Sequence, residues 1–463
     1  MLKLYNALLR TVTEFKPLQE GKVKMYTCGP TVYYYQHIGN MRAYIFMDSL
    51  RRVLKYNGYE INGVMNITDV GHLTSDEDTG EDKMEMAAKR EKKSPMEIAK
   101  FYSDIYFNDL ALLNVDLPEH ITPATEYIQQ MIDFVKVLEE KGYTYRLDDG
   151  IYFDVKKFKG YGALSGKDLN KTGIARVEEN VNKHHPFDFA LWKFVPENHI
   201  MKWDSPWGVG CPGWHIECSA MSRDILGSEF DIHTGGIDHL TVHHENEIAQ
   251  NDALSGHQVV KRWLHNEYLL VDGGKMSKSL GNIYTIADLV KMGYEPMDFK
   301  YFCLNTHYSK KINFTLEGLK ASSIGYRKLR ATLKEHKNGE EKIAPETLAK
   351  YEQQFLNALN DNLNTPLAIG ILWSMVRENP KSEDIFNLAV KFDKALGLNL
   401  DLSDQTEEKE ETIPQNIKDL AEQRLVARQQ KNWAESDRIR DLIAEQGYVI
   451  KDTKEGYTLE VKK

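Results

Sequence analysis

Four side chains of metal-binding type are spread along the sequence, at Cys28, Cys218, His243 and Glu247. Residues 243–250 (HHENEIAQ) have a helical pattern, and residues four apart on a helix share one face. This spacing would allow His243 and Glu247 to bind one ion together, with His244 and Glu245 then pointing elsewhere. Two thiolates, an imidazole and a carboxylate are acceptable zinc donors.

The spacing of these residues is not that of a zinc finger, and the helix lacks the His-Glu-x-x-His pattern of metalloproteases. Buried cysteines are often small structural residues, and a His–Glu pair four apart is often a surface pair. From spacing alone, a zinc site and a purely structural role therefore both remain open.

Two further motifs carry phosphate-binding chemistry. His37-Ile38-Gly39-Asn40 lies where a strand gives way to a helix, and a helix N-terminus with a nearby glycine suits a triphosphate. Lys-Met-Ser-Lys-Ser at residues 275–279 follows Gly273 and Gly274, and two lysines in such a loop can neutralise a pyrophosphate leaving group. Either motif alone also arises in ordinary surface loops.

The elements around the first motif read as a nucleotide-binding unit. Residues 22–26 alternate as a strand, residues from about 41 have helical spacing up to Gly58, and residues 61–67 form a second strand pattern. Strand, helix and strand in this order predict the first βαβ unit of a parallel sheet.

The rest of the chain predicts further domains. We expect an α/β domain over residues 1–310 with an insertion at about 115–225, then a helical bundle over 311–400. Residues 401–415 include an acidic run without hydrophobic period and are predicted to be a linker. Residues 416–463 predict a helix pair followed by a short hairpin.

Composition restricts the class of protein. The net charge is −10, which argues against a protein that coats nucleic acid indiscriminately but allows a local RNA contact. The four cysteines are widely scattered, which fits a reducing compartment better than a disulfide framework. No long apolar run or secretory signal is evident, so we expect a cytoplasmic protein without a membrane span.

The two phosphate motifs together resemble the paired signatures of class I aminoacyl-tRNA synthetases. Residues 213–221 (GWHIECSAM), the HHENEIAQ run and Thr27-Cys28-Gly29 are similar to the cysteinyl-tRNA synthetase family specifically. The resemblance extends over nearly the whole chain. It implies a doubly wound, Rossmann-type catalytic domain with an insertion, followed by a helical bundle and a small C-terminal anticodon-binding domain.

The resemblance also implies roles for individual residues. The implied zinc ligands are Cys28, Cys218, His243 and Glu247. The implied catalytic residues are His37, Lys275 and Lys278. The implied ATP-binding residues are His37, Gly39, Asn40, Gly235, Gly236, Asp238 and Lys278. The implied cysteine-binding residues are Gly29, Thr68 and Trp214.

Three features depart from the family pattern or match no position in it. Asn40 stands where the commonest form has a second histidine, and altered contacts rather than lost activity are expected. Residues 70–81 are longer than the common form, and no role is assigned to them. Cys211 matches no ligand position, so it is interpreted as structural or incidental.

The function implied is activation of cysteine with ATP and transfer to the 3′ end of the cysteine tRNA. One Zn²⁺ per chain is expected to select the substrate thiolate, with Mg²⁺ accompanying ATP, and the chain is expected to act as a monomer. Two alternatives stay open: a ligase that joins cysteine to an aminosugar, and a non-catalytic RNA-binding paralogue. The predicted C-terminal unit disfavours the former, and the intact motifs disfavour the latter.

Overall fold

The structure is a computed structural model that describes residues 1–71, 82–170, 182–274, 276, 281–403, 415–446, 448–453 and 456–461. The chain forms two compact units, Met1–Asp401 and Leu402–Lys463. The predicted catalytic lysines, Lys275 and Lys278, lie outside the described residues, as do most of the predicted linker and residues 72–81 of the segment longer than the common family form.

The described strands are β1 (Lys3–Asn6), β2 (Thr11–Glu14), β3 (Lys22–Thr27), β4 (Glu60–Ile67), β5 (His120–Pro123), β6 (Thr144–Leu147), β7 (Gly150–Phe153), β8 (Phe189–Phe194), β9 (Gly210–Pro212), β10 (Phe230–Gly236), β11 (Val260–Asn266), β12 (Leu269–Val271), β13 (Ile312–Phe314), β14 (Tyr448–Thr453) and β15 (Gly456–Val461). The described α-helices are α1 (Ile38–Tyr56), α2 (Lys83–Glu91), α3 (Pro95–Leu112), α4 (Ile128–Glu140), α5 (Trp214–Leu226), α6 (Ile237–Leu240), α7 (His243–Ser255), α8 (Ile286–Lys291), α9 (Pro296–Leu304), α10 (Leu316–Lys337), α11 (Pro345–Asn360), α12 (Thr365–Glu378), α13 (Glu383–Leu396), α14 (Gln415–Gln429) and α15 (Trp433–Glu445).

Five strands of the first unit form a parallel sheet in the order β11-β10-β3-β4-β5. The chain moves outwards from β3 through β4 and β5, and later returns to the other side of β3 with β10. This reversal is the switch point of a doubly wound sheet, where ligands bind beyond the carboxyl ends of the strands. The predicted Rossmann-type architecture is confirmed.

The first βαβ unit has the predicted order. Val23 and Met25 are buried on β3, because apolar residues on alternate positions face one side of the sheet. Helix α1 begins at Ile38, earlier than the hydrophobic spacing alone predicts. The reason is a capping box, in which the side chains of His37 and Asn40 each accept a hydrogen bond from the other's backbone N–H.

The segment predicted as an insertion contains β5 of the parallel sheet and a separate antiparallel sheet in the order β6-β7-β8-β9. Trp192 on β8 is fully buried in a hydrophobic cluster that also contains Tyr26 of β3 and Cys28, which follows that strand of the parallel sheet. The two sheets therefore share one core, which fixes the antiparallel sheet against the parallel one.

Helices α10 to α13 follow the last strand of the first unit, and Phe355 of α11 stacks on Phe392 of α13 with ring centroids 3.9 Å apart. A buried ion pair joins α9, the helix that precedes this region, to α1. The Lys300 ammonium group donates to Asp48 Oδ2 at 2.7 Å, and the Arg52 guanidinium donates to Asp48 Oδ1 at 2.8 Å. Burial on both sides leaves this pair little screened by salt.

The second unit has its own small core. Helices α14 and α15 are followed by the antiparallel hairpin β14–β15, as the sequence predicts for a helix pair and hairpin. Its buried apolar residues are Ile417, Ala421, Ile439, Ile443 and Ile450. All of them come from this unit.

Candidate active site and metal centre

The candidate site lies at the switch point of the sheet. Cys28 follows the last residue of β3, and its backbone N–H donates to the Thr234 carbonyl of β10 at 3.1 Å. The next residue, Gly29, donates its N–H to Asn66 Oδ1 on β4 at 2.7 Å. A Cβ on Gly29 would overlap the Asn66 carbonyl, so only glycine allows this approach. Three neighbouring strands therefore meet at Cys28.

The structure brings the four predicted metal ligands together. Ligand atoms of Cys28, Cys218, His243 and Glu247 all lie within 4.8 Å of one another, and all four residues are buried. His243 and Glu247 are four residues apart on α7, and their Nε2 and Oε1 atoms are 3.0 Å apart. Cys218 is supplied by α5, which packs beside α7.

A second set of donors overlaps the first. Cys28, His233, His244 and Glu247 also have ligand atoms within 4.8 Å of one another. His244 Nε2 lies 3.3 Å from Cys28 Sγ, and His233 Nε2 lies 2.8 Å from Glu247 Oε2. The prediction that His244 points elsewhere is wrong, because it sits at the start of α7, where the helix faces the sheet.

Glu245 does point away from the donors, as the sequence predicts. Its carboxylate accepts hydrogen bonds from the backbone N–H groups of Gly162, Leu164 and Ser165 at 2.7, 3.1 and 2.7 Å. The residue is fully buried, so these bonds satisfy a charge that would otherwise be costly. Glu245 thus fixes the loop of residues 162–165 against α7.

The electrostatics of the cluster favour a cation. Burial opposes ionisation of Glu247, but His233 and His243 lower its pKa to about 2. Burial likewise disfavours protonated His243, yet Glu247 and Cys218 raise its pKa to about 10. Burial would raise the pKa of Cys218, but the hydrogen bond from Cys28 lowers it below the usual value. Burial raises the pKa of the Cys28 thiol well above its usual value, so a metal ion held by these donors would have to displace the protons of both Cys28 and His243.

Other histidines near the donors are held neutral. Burial lowers the pKa of His265 to about 3 and that of His239 to about 4. His265 Nε2 lies 2.7 Å from His244 Nδ1, so one of these nitrogens donates to the other. A neutral His244 keeps a lone pair on Nε2 for an ion when its Nδ1 carries the proton.

A polar network beside the thiols comes from β4 and α5. Asn66 Nδ2 donates to Thr68 Oγ1 at 3.0 Å, and the Thr68 hydroxyl donates to Glu217 Oε2 at 2.8 Å. The Cys218 thiol lies 3.8 Å from Asn66 Oδ1. Thr68, a predicted cysteine-binding residue, is thus held close to the donors.

Trp214, another predicted cysteine-binding residue, begins α5. Its ring stacks on His243 with centroids 4.7 Å apart and planes inclined by 25°. Gly213 precedes it, and a Cβ there would overlap the Ala190 carbonyl of β8. The close approach of α5 to the antiparallel sheet therefore positions Trp214 over the donors.

The first phosphate motif is at the N-terminus of α1. His37 Nδ1 accepts from the Asn40 N–H at 3.2 Å, and Asn40 Oδ1 accepts from the His37 N–H at 3.2 Å. Burial lowers the pKa of His37, so its imidazole is neutral. Asn40 therefore caps the helix through its oxygen, which gives this position a structural role.

The second phosphate motif is described only at its second residue. A Cβ on Gly39 would clash with the side-chain methyl group of Met276, so Met276 lies over Gly39. The Ile38 N–H donates to the Tyr284 carbonyl at 2.9 Å. The segments on both sides of residues 277–280 thus reach the start of α1.

The predicted adenosine-binding stretch ends β10. Gly236 is the N-cap of the short helix α6, and Asp238 on that helix has a side chain that is 62% exposed. A Cβ on Gly235 would come within 2.7 Å of His244 Cε1 and 2.8 Å of His239 Nδ1. Gly235 therefore allows the histidines to pack against the strand end.

Comparisons with known proteins identify the family. Residues 14–323 match the family model described as "tRNA synthetases class I (C) catalytic domain". A cysteine--tRNA ligase of Burkholderia lata is 42% identical over 99% of this chain and 96% of its own length. One of Treponema denticola is 40% identical over 97% of this chain and 98% of its own length.

The chain belongs to the cysteinyl-tRNA synthetase family. The resemblance that the sequence motifs indicated is confirmed, and so is the expectation of an enzyme. The matched length includes the second unit, which lies beyond the catalytic family model.

Solved structures agree with this fold. The chain is similar to a methionyl-tRNA synthetase of Mycobacterium tuberculosis bound by methionyl-adenylate, with TM-score 0.56 and 12% identity over 81% of this chain and 88% of that one. A LeuRS of Agrobacterium radiobacter, in a ternary complex with tRNA, gives TM-score 0.59 and 12% identity, over 83% of this chain and 84% of that one. At this identity they show the class I fold alone.

Among the described helices of this synthetase family member, none is both long and apolar enough to cross a membrane. Cys211, interpreted from the sequence as structural, is buried on β9 and is absent from both donor sets found among the described residues.

Sequence reasoning missed several residues of the site. Asn66, Glu217, His233 and His265 all contact the donors or their neighbours. Asn66 lies on β4, two residues before Thr68, and side chains on one face of a strand repeat every second residue. That spacing could have indicated Asn66 as a neighbour of Thr68 in the site. The histidines carried no such signal, because they come from β10 and β11.

Proposed function

We propose that this protein is a cysteine--tRNA ligase that forms cysteinyl-adenylate and transfers the cysteine to the 3′ end of its tRNA. The observation that carries the proposal is the buried cluster of two thiols, an imidazole and a carboxylate at the switch point of a class I fold. Full-length relatives are cysteine--tRNA ligases, so the aminosugar ligase and the non-catalytic paralogue are not favoured.

The donor set fits zinc. Its two sulfur atoms, one nitrogen and one oxygen are the ligand types that zinc accepts, and thiolates exclude hard cations such as magnesium. We propose that Cys28, Cys218, His243 and Glu247 hold one Zn²⁺ per chain. Zinc bound there supplies a soft Lewis acid that prefers a thiolate to a hydroxyl, which distinguishes cysteine from serine.

The surrounding residues orient the amino acid. We assign cysteine binding to Gly29, Thr68 and Trp214. Thr68 is fixed by Asn66 and Glu217, and Trp214 is stacked on His243, so both are positioned before the substrate arrives. Preorganised contacts of this kind lower the entropy lost on binding.

The nucleotide is assigned to the neighbouring strand and helix ends. The N-terminus of α1, with His37, Gly39 and Asn40, supports the phosphates. Gly235, Gly236 and Asp238 are assigned to the adenosine. When the cysteine carboxylate attacks the α-phosphorus, pyrophosphate leaves, and we assign Lys275 and Lys278 to its developing charge, with Mg²⁺ accompanying ATP. The terminal ribose hydroxyl of the tRNA then attacks the carbonyl, and AMP leaves. We further propose a cytoplasmic monomer.

The test compares the zinc content of Cys218→Ser with that of Cys211→Ser, a matched control at a buried cysteine outside the donors. We expect one zinc per chain in the wild type and in the control. In Cys218→Ser we expect most of the zinc to be lost and cysteine-dependent ATP–pyrophosphate exchange to fall by about 100-fold or more.

Two outcomes would contradict parts of the proposal. Full zinc content in Cys218→Ser together with zinc loss in His244→Ala would assign the ion to the overlapping donor set. An active enzyme that contains no metal, or that charges serine as fast as cysteine, would contradict the function itself.

A further inference from the structure

A cluster of aromatic rings and cations lies on the surface beside the first phosphate motif. We call it the aromatic–cation patch, and it consists of Tyr34, Tyr35, Arg90, Lys93, Phe101 and Tyr102. Tyr35 and Phe101 are 42% and 39% exposed, whereas Tyr102 is buried beneath them. Exposed apolar rings that adjoin one another and are rimmed by charged groups are a feature of binding surfaces.

The rings form one contiguous group. Tyr35 meets Tyr102 edge to face with centroids 5.1 Å apart, and Tyr34 meets Tyr35 edge to face at 5.4 Å. Phe101 and Tyr102 are 5.1 Å apart, also edge to face. Packing on a buried ring restrains the exposed rings, so a flat ligand can stack on them at little entropic cost.

Cations are placed against the same rings. The Arg90 guanidinium lies 5.0 Å from the Tyr34 centroid, and the Lys93 ammonium lies 4.3 Å from the Phe101 centroid. Residues 89–93 read KREKK, a basic run within a chain whose net charge is −10. Glu91 bonds to both Arg90 and Tyr102, which holds the guanidinium in place.

The patch is tied directly to the active site. Tyr35 precedes His37 by two residues, so their Cα atoms are within about 7 Å of each other. The Val32 N–H donates to the Thr68 carbonyl at 3.2 Å, and Arg90 donates to the Tyr33 carbonyl at 3.4 Å. The two residues just before Tyr34 and Tyr35 are therefore fastened to Thr68 on one side and to α2 on the other.

We propose that the aromatic–cation patch binds the single-stranded 3′ end of the tRNA as it enters the active site. This inference rests on the proposed function. Unpaired bases stack on exposed aromatic rings, and phosphates bind the neighbouring cations. A duplex stem has its bases already stacked and would not use the ring faces.

The experiment measures the affinity of the full-length enzyme for two transcripts of the cysteine tRNA, one complete and one lacking its last four nucleotides. For the wild type we expect removal of the 3′ end to weaken binding about tenfold. For Phe101→Ala and Tyr35→Ala we expect the complete transcript to bind about as weakly as the shortened one.

Two matched variants serve as controls. Met96→Ala removes another exposed apolar side chain of α3, 57% exposed, and should keep the wild-type difference between transcripts. Tyr35→Phe keeps the aromatic ring and should also keep the wild-type difference in affinity between the two transcripts. Cysteine-dependent ATP–pyrophosphate exchange should be unchanged in all four variants, because adenylate formation needs no RNA.

The results separate this inference from the proposed function. If Phe101→Ala and Tyr35→Ala still distinguish the two transcripts as the wild type does, the inference is overturned. It is also overturned if both variants weaken the two transcripts equally, which would place the RNA duplex or another partner on the patch. If the wild type shows no exchange with cysteine, the proposed function itself fails.

Discussion

The donor cluster depends on residues that do not touch the metal position directly. Asn66 holds three neighbours at once, since it accepts from the Gly29 N–H, donates to Thr68, and lies beside the Cys218 thiol. Its side chain is buried, so each of these bonds replaces one that water would otherwise supply. A single amide thus aligns the strand end, the Thr68 hydroxyl and one thiol.

We predict that Asn66→Ala raises the KM for cysteine in the exchange reaction by about tenfold or more. The reason is that a buried donor or acceptor left unpaired costs roughly 1–3 kcal/mol, and Gly29 and Thr68 both lose their partner. Zinc content should remain near one per chain, because all four proposed ligands are intact. Steady-state kinetics and metal analysis together check this.

The matched control is Asn62→Ala on the same strand, where the amide contacts His120 near the surface. It should leave the KM for cysteine unchanged. If Asn66→Ala loses zinc while its KM for cysteine is unchanged, the prediction is wrong. Asn66 would then support the metal centre and not the binding of cysteine.

The limits of the sequence are clear at single residues. The four proposed zinc ligands were reached through family resemblance, since spacing along the chain cannot show that Cys28 and Cys218 converge. Helical periodicity correctly brought His243 and Glu247 to one face. It misplaced His244, because the first turn of a helix packed into a sheet is surrounded by protein on more than one side.

Among the elements, helix α3 contains an unfavourable charge. Asp109 lies in its last turn and is 6% exposed, and burial raises the pKa of its carboxyl to about 6. A carboxylate near a helix C-terminus also opposes the helix dipole. The native state therefore binds the proton more tightly than the unfolded chain, in which the pKa is about 3.9.

This gives a defined pH dependence. The contribution of Asp109 to stability is complete below about pH 4 and is lost as the pH rises through 6. We predict that Asp109→Asn raises the free energy of unfolding at pH 8 by on the order of 1 kcal/mol, and gives no gain near pH 4. Urea unfolding at both pH values measures the difference.

Asp104→Asn is the matched control, since Asp104 is on the same helix but exposed, paired with Lys100. It should not stabilise the protein at pH 8. An equal gain from Asp109→Asn at both pH values would show that helix propensity, rather than ionisation, is responsible.

Prediction was most successful for whole elements. The strand, helix and strand around the first phosphate motif follow from period-two and period-3.6 patterns of apolar residues. Only the start of α1 differed from the prediction, because the capping box of His37 and Asn40 begins the helix before the regular apolar spacing does. The antiparallel sheet β6–β9 was not predicted in detail. Its strands are short, and some of them, such as β7, are buried on both faces. Their sequences therefore lack a clear alternation of apolar and polar residues.

At the scale of the molecule, the two units have separate apolar cores. The donor cluster and the first phosphate motif belong to Met1–Asp401, and the small helical unit with its hairpin belongs to Leu402–Lys463. Their division of labour, catalysis in one and anticodon binding in the other, remains a prediction from the family resemblance.

We predict that a chain ending at Asp401 keeps cysteine-dependent exchange but charges the cysteine tRNA roughly 100-fold less efficiently. When both units contact one RNA, binding by the first raises the effective concentration of the RNA at the second. Removing one unit loses this increase in affinity. Comparing kcat/KM for charging with the exchange rate checks this. Undiminished charging by the shortened chain would show that the C-terminal unit does not bind the tRNA.

The donor cluster of Cys28, Cys218, His243 and Glu247 has a consequence for how such enzymes diverge. The anchors sit on one strand end and two helices, while the long intervening stretch of chain reaches the surface between them. Lengthening a surface loop is thermodynamically cheap, at about 0.6 kcal/mol for each doubling. Lineages can therefore acquire or shed whole surface loops there while the proposed selection of the thiol is inherited unchanged.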